Sequence, residues 1–162
     1  MPARPGTRVR AKKEVYCGMK RVTLEDFAVR IELPVQWSDM DAAQHVNNVS
    51  YLRWVESARL AYFERMNMDT TFAGDAPGPI LGWQDCKYVF PMTYPDTAIL
   101  GIRTTEVADD HLMMQCAVFS KRHERLAALA QQRIVPYAFR SLRKLPVPET
   151  WRRGVGEIEG SD

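Results

Sequence analysis

Residues 37–66 read Trp37-Ser-Asp-Met-Asp-Ala-Ala-Gln-His-Val-Asn-Asn-Val-Ser-Tyr-Leu-Arg-Trp-Val-Glu-Ser-Ala-Arg-Leu-Ala-Tyr-Phe-Glu-Arg-Met66. The second half decides the architecture. From Asn48 to Met66 no Gly or Pro interrupts, and Leu52, Val55, Ala58, Arg59, Tyr62, Phe63 and Met66 recur at helical spacing. That predicts a helix of about five turns. Tyr51, Trp54 and Leu60 widen its apolar face, so burial over much of its circumference is expected and other elements must wrap it. The first half is a polar loop that carries two carboxylates, an imidazole and two carboxamides to the start of that helix. A helix start offers backbone N–H groups without intrahelical partners and a partial positive charge, which suit an oxygen gaining negative charge. Asp41, seven residues before Asn48, can lie across from such a donor.

Upstream, residues 27–37 alternate apolar and polar as a strand does, with Pro34 favouring an edge or a bulge. Asn67 and the run Gly74-Asp-Ala-Pro-Gly-Pro are stop and loop signals. Four strand-like segments follow, at 80–90, 96–107, 111–121 and 126–137, and their short connections imply an antiparallel meander. Residues 126–132 are rich in Ala and Leu and could be helical, but Ile134-Val-Pro-Tyr-Ala-Phe continues in an extended pattern, so the segment reads as a strand with Pro136 near an edge. One strand, one long helix and four more strands describe an α+β domain with a sheet curled around the helix. Residues 1–26 read as a basic, mobile arm and 154–162 as a flexible tail. A short helix starts after Pro148, and the domain occupies 27–153.

At 162 residues the chain suits one domain with a core that needs no metal or disulfide staple. Lys plus Arg (22) nearly balance Asp plus Glu (20), so overall charge makes no case for nucleic acid. Cys17, Cys86 and Cys116 are odd in number and widely separated, which argues against a disulfide framework and for a reducing, cytoplasmic setting. No apolar run approaches the length of a membrane span.

The run from Asp39 to Arg59 resembles the signature of hotdog-fold acyl-CoA thioesterases of the 4-hydroxybenzoyl-CoA thioesterase type. The likeness continues through Tyr88-Val-Phe-Pro-Met-Thr-Tyr-Pro-Asp and reaches Pro146-Val-Pro, covering roughly residues 27–153. The resemblance implies an antiparallel sheet of about five strands around the helix, with subunits paired edge to edge as a homodimer or a dimer of dimers, and active sites at the interface. It matches the catalytic carboxylate to Asp41 and the oxyanion donor to the Asn48 backbone N–H. One departure stands out: the position before His45 is usually Gly, which takes a positive φ cheaply, and here it is Gln44.

Each candidate has a plainer role beside its chemical one. Asp41 is expected to act as nucleophile or general base, against the commoner job of forming a turn. Asp39 reads as structural, tying the loop to nearby backbone. His45 could orient the thioester, protonate the leaving thiolate or donate a hydrogen bond that fixes the loop, and the last is preferred. Asn47 and Asn48 can cap the helix with their side chains. Glu56 forms an intrahelical pair with Arg53 or Arg59, or holds water in a cleft. Asn47, Tyr51 and Glu56 join Arg140, Arg143 and Lys144 as substrate-binding candidates, the last three as partners for the phosphates of coenzyme A. Cys86 and Cys116 read as small core residues. Asp39, Asp41 and His45 are metal-ligand types at close spacing, but a polar turn is preferred to a metal site, and no cofactor is expected beyond the coenzyme A of the substrate.

The expected reaction is hydrolysis of an acyl-CoA. The alternatives are a hotdog enoyl-thioester hydratase or dehydratase, whose Gly-Asp-x-Asn-Pro-x-His pattern is missing here, and a non-catalytic acyl-CoA binding module. Trp54, Tyr62, Phe63, Phe72 and Trp83 could shape a pocket, and core is the simpler role.

Overall fold

The computed structural model describes residues 22–68 and 76–160. The strand predicted at 27–37 is β1 (Val29–Pro34) and the helix is α1 (Asn48–Arg65). The four later segments are β2 (Pro77–Tyr88), β3 (Thr97–Val107), β4 (Leu112–Ser120) and β5 (Arg125–Ala138). A two-residue strand, β6 (Arg143–Lys144), pairs with β5, and α2 (Glu149–Glu159) ends the described chain. All strand pairs are antiparallel and the order is β1-β3-β4-β5-β2. Both prolines fall where the sequence put them. Pro34 lies on the edge strand β1, and Pro136 lies where β5 has run past the end of β4, whose last partner is Ile134.

The order corrects the expected meander. Strands β3, β4 and β5 follow one another, but β2 pairs with β5 on the far edge and not with β3. The link between β2 and β3, residues 89–96, is no hairpin turn. It contains Pro91 and Pro95, and it crosses one end of the sheet beneath the start of α1, where Val46 N–H donates to Met92 O at 2.9 Å.

Helix α1 lies across β1, β3 and β4 and buries Tyr51, Trp54, Val55, Ala58, Tyr62 and Phe63. Its opposite face is open, with Val49 61% exposed and Leu60 47%, so the buried face is narrower than the expected burial over much of the circumference and does not extend to Leu60. Trp54, Tyr62 and Phe63 are core, whereas Trp83 on the edge strand β2 is 47% exposed; Phe72 lies outside the described residues.

The chain ends differ from the expected boundaries. Most of the 1–26 arm lies outside the described residues, but Leu24–Asp26 form a 3-10 turn in which the Asp26 carboxylate accepts the Thr23 N–H at 2.7 Å. Phe27 then packs over Gly101 of β3, where a Cβ would sit 2.5 Å from the ring, so only glycine allows the contact. At the other end the expected tail is helical to Glu159. Trp151 and Val155 are buried, and one Glu159 oxygen accepts from the Tyr62 hydroxyl and from the Thr104 N–H, each at 2.8 Å. Apolar burial and these two bonds hold α2 against α1 and β3 despite its glycines.

A curled antiparallel sheet of five long strands and one short one, packed on one long helix, is the hotdog arrangement. No helix among the described residues is long and apolar enough to cross a membrane.

Candidate active site

Asp39 organises the loop before α1. It is 3% exposed; its Oδ2 accepts the Gln36 N–H at 2.8 Å, and its Oδ1 accepts from the Ser50 hydroxyl at 2.9 Å and Arg53 Nη2 at 2.6 Å. Its carbonyl also accepts the Asn47 N–H at 2.8 Å. One carboxylate thus joins a 3-10 turn (Trp37–Asp39) to the first two turns of the helix, so its role is structural but reaches further than neighbouring backbone. Replacing Asp39 with Ala leaves the buried Ser50 hydroxyl without its acceptor and removes the bonds from the Gln36 N–H and from Arg53, whose side chain is 64% exposed and turns to water. The urea midpoint should fall by the equivalent of about 2–3 kcal/mol. A variant as stable as wild type would show that the loop is held elsewhere.

Beyond Asp39 the chain makes a small hairpin, bridged at Met40 and Val46. Asp41 N–H donates to His45 O at 3.0 Å, Gln44 N–H donates to Asp41 O at 2.9 Å, and Asp41 Oδ1 accepts the Ala43 N–H at 2.8 Å. Gln44 takes the positive φ that glycine would favour, at 60°, so the departure from the family pattern leaves the turn intact at a cost of about 1 kcal/mol. His45 contributes its carbonyl to the hairpin. Its imidazole has no hydrogen-bond partner among the described residues, so it does not fix the loop as expected.

Asn47 is the N-cap: its Oδ1 accepts the Val49 N–H at 2.9 Å and its carbonyl accepts the Ser50 N–H at 3.0 Å. Among the described residues the Asn48 N–H has no acceptor. Asn48 also lines a cleft of about 270 Å³, together with His45, Tyr51, Tyr88 and Phe90. The Tyr51 hydroxyl accepts the Met92 N–H at 3.2 Å, and its ring meets Tyr88 edge-on with centroids 5.4 Å apart. Burial raises the pKa of both phenols, that of Tyr88 to about 12, so they face the cleft as neutral groups. Sequence reasoning noticed the Tyr88-Val-Phe-Pro stretch but did not place it in the site. Its only signal was an aromatic pair just before a proline.

The remaining candidates are dispersed. Asp41 is exposed on the hairpin and is not part of the cleft lining. The Glu56 side chain is 59% exposed and lies 3.4 Å from Arg59, outside the cleft. Arg59 itself is buried and donates to Gln132 Oε1 at 2.6 Å, and desolvation lowers its pKa. Arg143 and Lys144 pair with Ala138 and Tyr137, at the end of β5 that faces Pro77 and Gly78 of β2, and Arg140 is in the turn beside them. The cleft is at the Tyr88 end of β2, so within one chain these three cations are at the wrong end of the sheet for its phosphates. Cys116 is wholly buried and Cys86 half-buried; desolvation pushes both thiols above their ordinary range, which suits core residues and not nucleophiles. Asp39, Asp41 and His45 form no metal-ligand cluster among the described residues.

Residues 35–155 match the thioesterase-like superfamily. A thioesterase from Thermus thermophilus, crystallised with coenzyme A and zinc, is 28% identical, with a TM-score of 0.74 over 85% of this chain and 99% of its own. The PA2801 protein of Pseudomonas aeruginosa is 25% identical, with a TM-score of 0.71 over 80% of this chain and 98% of its own. A 1,4-dihydroxy-2-naphthoyl-CoA thioesterase from Synechocystis shares the fold at 16% identity and a TM-score of 0.72, over 81% of this chain and 97% of its own. In sequence, the chloroplastic palmitoyl-acyl carrier protein thioesterase of Arabidopsis thaliana is 49% identical over 41 residues, which are 25% of this chain and 10% of that protein.

Proposed function

Because the chain belongs to the thioesterase-like superfamily, a family of thioester hydrolases, we propose that it hydrolyses an acyl-CoA to a carboxylic acid and free coenzyme A. The observation that carries this reading is that Asn48, whose N–H has no acceptor among the described residues, lines a cleft with aromatic walls at the start of α1. A thioester carbonyl seated there gains a preorganised donor at the positive end of α1 as its oxygen becomes negative. Asp41 either attacks the carbonyl carbon, expelling the thiolate and leaving a mixed anhydride for water to open, or takes a proton from the water that attacks. Both routes consume one water and release the acid and the free thiol. Thiol release from a panel of acyl-CoA substrates tests the reading. Addition of water to an enoyl-CoA without thiol release would point to a hydratase, and tight binding without turnover to a carrier module.

Asp41 stands outside the single-chain cleft, and the outer edge of β2, which has no strand partner among the described residues, offers a way to complete the site. Ile80, Leu81 and Trp83 are exposed along it, and the open face of α1 adds Val49 and Leu60. An edge of this length with unpaired backbone groups favours pairing with a second copy. Antiparallel pairing of two β2 strands sets the Pro77 end of one against the Tyr88 end of the other, carrying the basic segment 140–144 toward the neighbouring cleft. Sedimentation at micromolar concentration should then show a dimer or a larger even assembly, and Trp83→Glu should dissociate it and lower turnover together. A fully active monomer would contradict a site completed by a second copy.

A further inference from the structure

Tyr88 is the last residue of β2 and lines the cleft beside the start of α1. Its cross-strand partner is Ala128 and that of Cys86 is Ala130, so small side chains on β5 leave the phenol room to lean toward the helix. There the ring meets Tyr51 edge-on, a contact that a phenylalanine ring makes equally well. The hydroxyl is what phenylalanine lacks. It donates to the Asn48 carbonyl at 3.4 Å, the long limit of a hydrogen bond, and its other hydrogen-bonding neighbour is the Cys86 thiol, a weak partner. Neither contact holds its proton firmly. The N and O atoms of one helical residue are about 3.5 Å apart, so the Tyr88 oxygen lies within about 7 Å of the Asn48 nitrogen.

We infer that the Tyr88 hydroxyl is a second donor of the active site, turned onto the thioester sulfur while the carbonyl oxygen takes the Asn48 N–H. The inference rests on the proposed acyl-CoA reading and adds the group that serves the leaving thiol. Sulfur and oxygen are bonded to one carbon of the thioester, so two donors this far apart reach one atom each. When the tetrahedral adduct collapses, the C–S bond breaks and its electron pair stays on sulfur. The thiolate forms in a cleft with aromatic walls that solvate it poorly, and a hydrogen bond from a neutral phenol offsets that penalty. Burial raises the pKa of Tyr88 to about 12, whereas an alkyl thiol ionises near about 8.5. The phenol therefore lends a hydrogen bond and keeps its proton, and the departing thiolate takes its own proton from solvent.

Thiol release with enzyme in excess over substrate tests the assignment, because its second-order rate constant reads C–S cleavage even when a later step limits kcat. Wild type and Tyr88→Phe are compared on two thioesters of one acyl group: the acyl-CoA, and the 4-nitrothiophenyl thioester, whose thiolate is stable without help. Tyr88→Phe should release coenzyme A ~10-fold or more slowly, and 4-nitrothiophenolate less than about 3-fold more slowly. Both proteins should unfold at the same temperature, since the lost bond is long and solvent-exposed. Equal slowing on the two substrates puts the hydroxyl on the carbonyl or in packing, and undiminished release of coenzyme A leaves it idle. Either result overturns the proposal. A wild type that cleaves no thioester of any acyl group removes the hydrolase reading and this inference with it, whereas an active wild type matched by Tyr88→Phe removes this inference alone.

Discussion

Asp41→Asn should lower kcat for acyl-CoA by ~100-fold or more and leave the fold intact, because a neutral amide can neither attack the carbonyl nor accept a proton from water. The structure makes this a clean test. The carboxylate has one contact within the loop, the Ala43 N–H at 2.8 Å, and an amide oxygen in the same place accepts it equally well. Asp41 is also exposed, so no buried charge is left unpaired. KM should move little. Thermal unfolding and steady-state kinetics measured together decide the matter: a folded variant with near wild-type turnover removes Asp41 from the chemistry.

Asn48→Pro should cost a similar ~100-fold in turnover, and Asn48→Ala only a small fraction of that, because the proposed donor is the backbone N–H. Asn48 is the first residue of α1, where proline's fixed φ suits the helix and no intrahelical bond is lost. The preceding residue is already suited to it: Asn47 sits at φ −62° and ψ 142°, the extended region that a following proline requires. The cap bonds of Asn47 to Val49 and Ser50 do not involve the replaced atom and should survive. If circular dichroism shows both variants helical and the Pro variant is as fast as the Ala variant, the carbonyl binds elsewhere.

The helix and the long strands were legible because their signals are local. Eighteen uninterrupted residues with period near 3.6 admit one reading, and extended pattern decided 126–132 against its helix-prone composition. Strand order was not local. Nothing within residues 89–96 says that the chain must cross the sheet, and only the pairing of β2 with β5 reveals it. The tail was misread because Gly154, Gly156 and Gly160 look like breakers, whereas Gly154 is where α2 meets Met66, with room for a Cβ only 3.3 Å from its neighbour. In the site, the loop carboxylates and the cap were visible as residue types, and the roles of Asp39 and Asn47 followed from chemistry. Tyr88 and Phe90 could not be placed, because their facing of the helix start depends on the crossing segment. The basic residues 140–144 were set beside the site on charge alone, and charge does not say which end of a sheet a turn occupies.

That crossing segment carries a consequence for variation in chain length. Its Met92 ties down Val46 and the Tyr51 hydroxyl, its Tyr94 N–H reaches Met40 Sδ at 3.4 Å, and its Asp96 anchors the β4–β5 turn. One residue inserted or deleted there displaces these attachments relative to one another by up to about 3.5 Å. A reactive arrangement tolerates about 0.5 Å. Insertions and deletions should therefore be excluded from residues 89–96, although the segment has the look of an ordinary loop, and the distance from helix start to the β4–β5 turn behaves as a fixed gauge built into the chain.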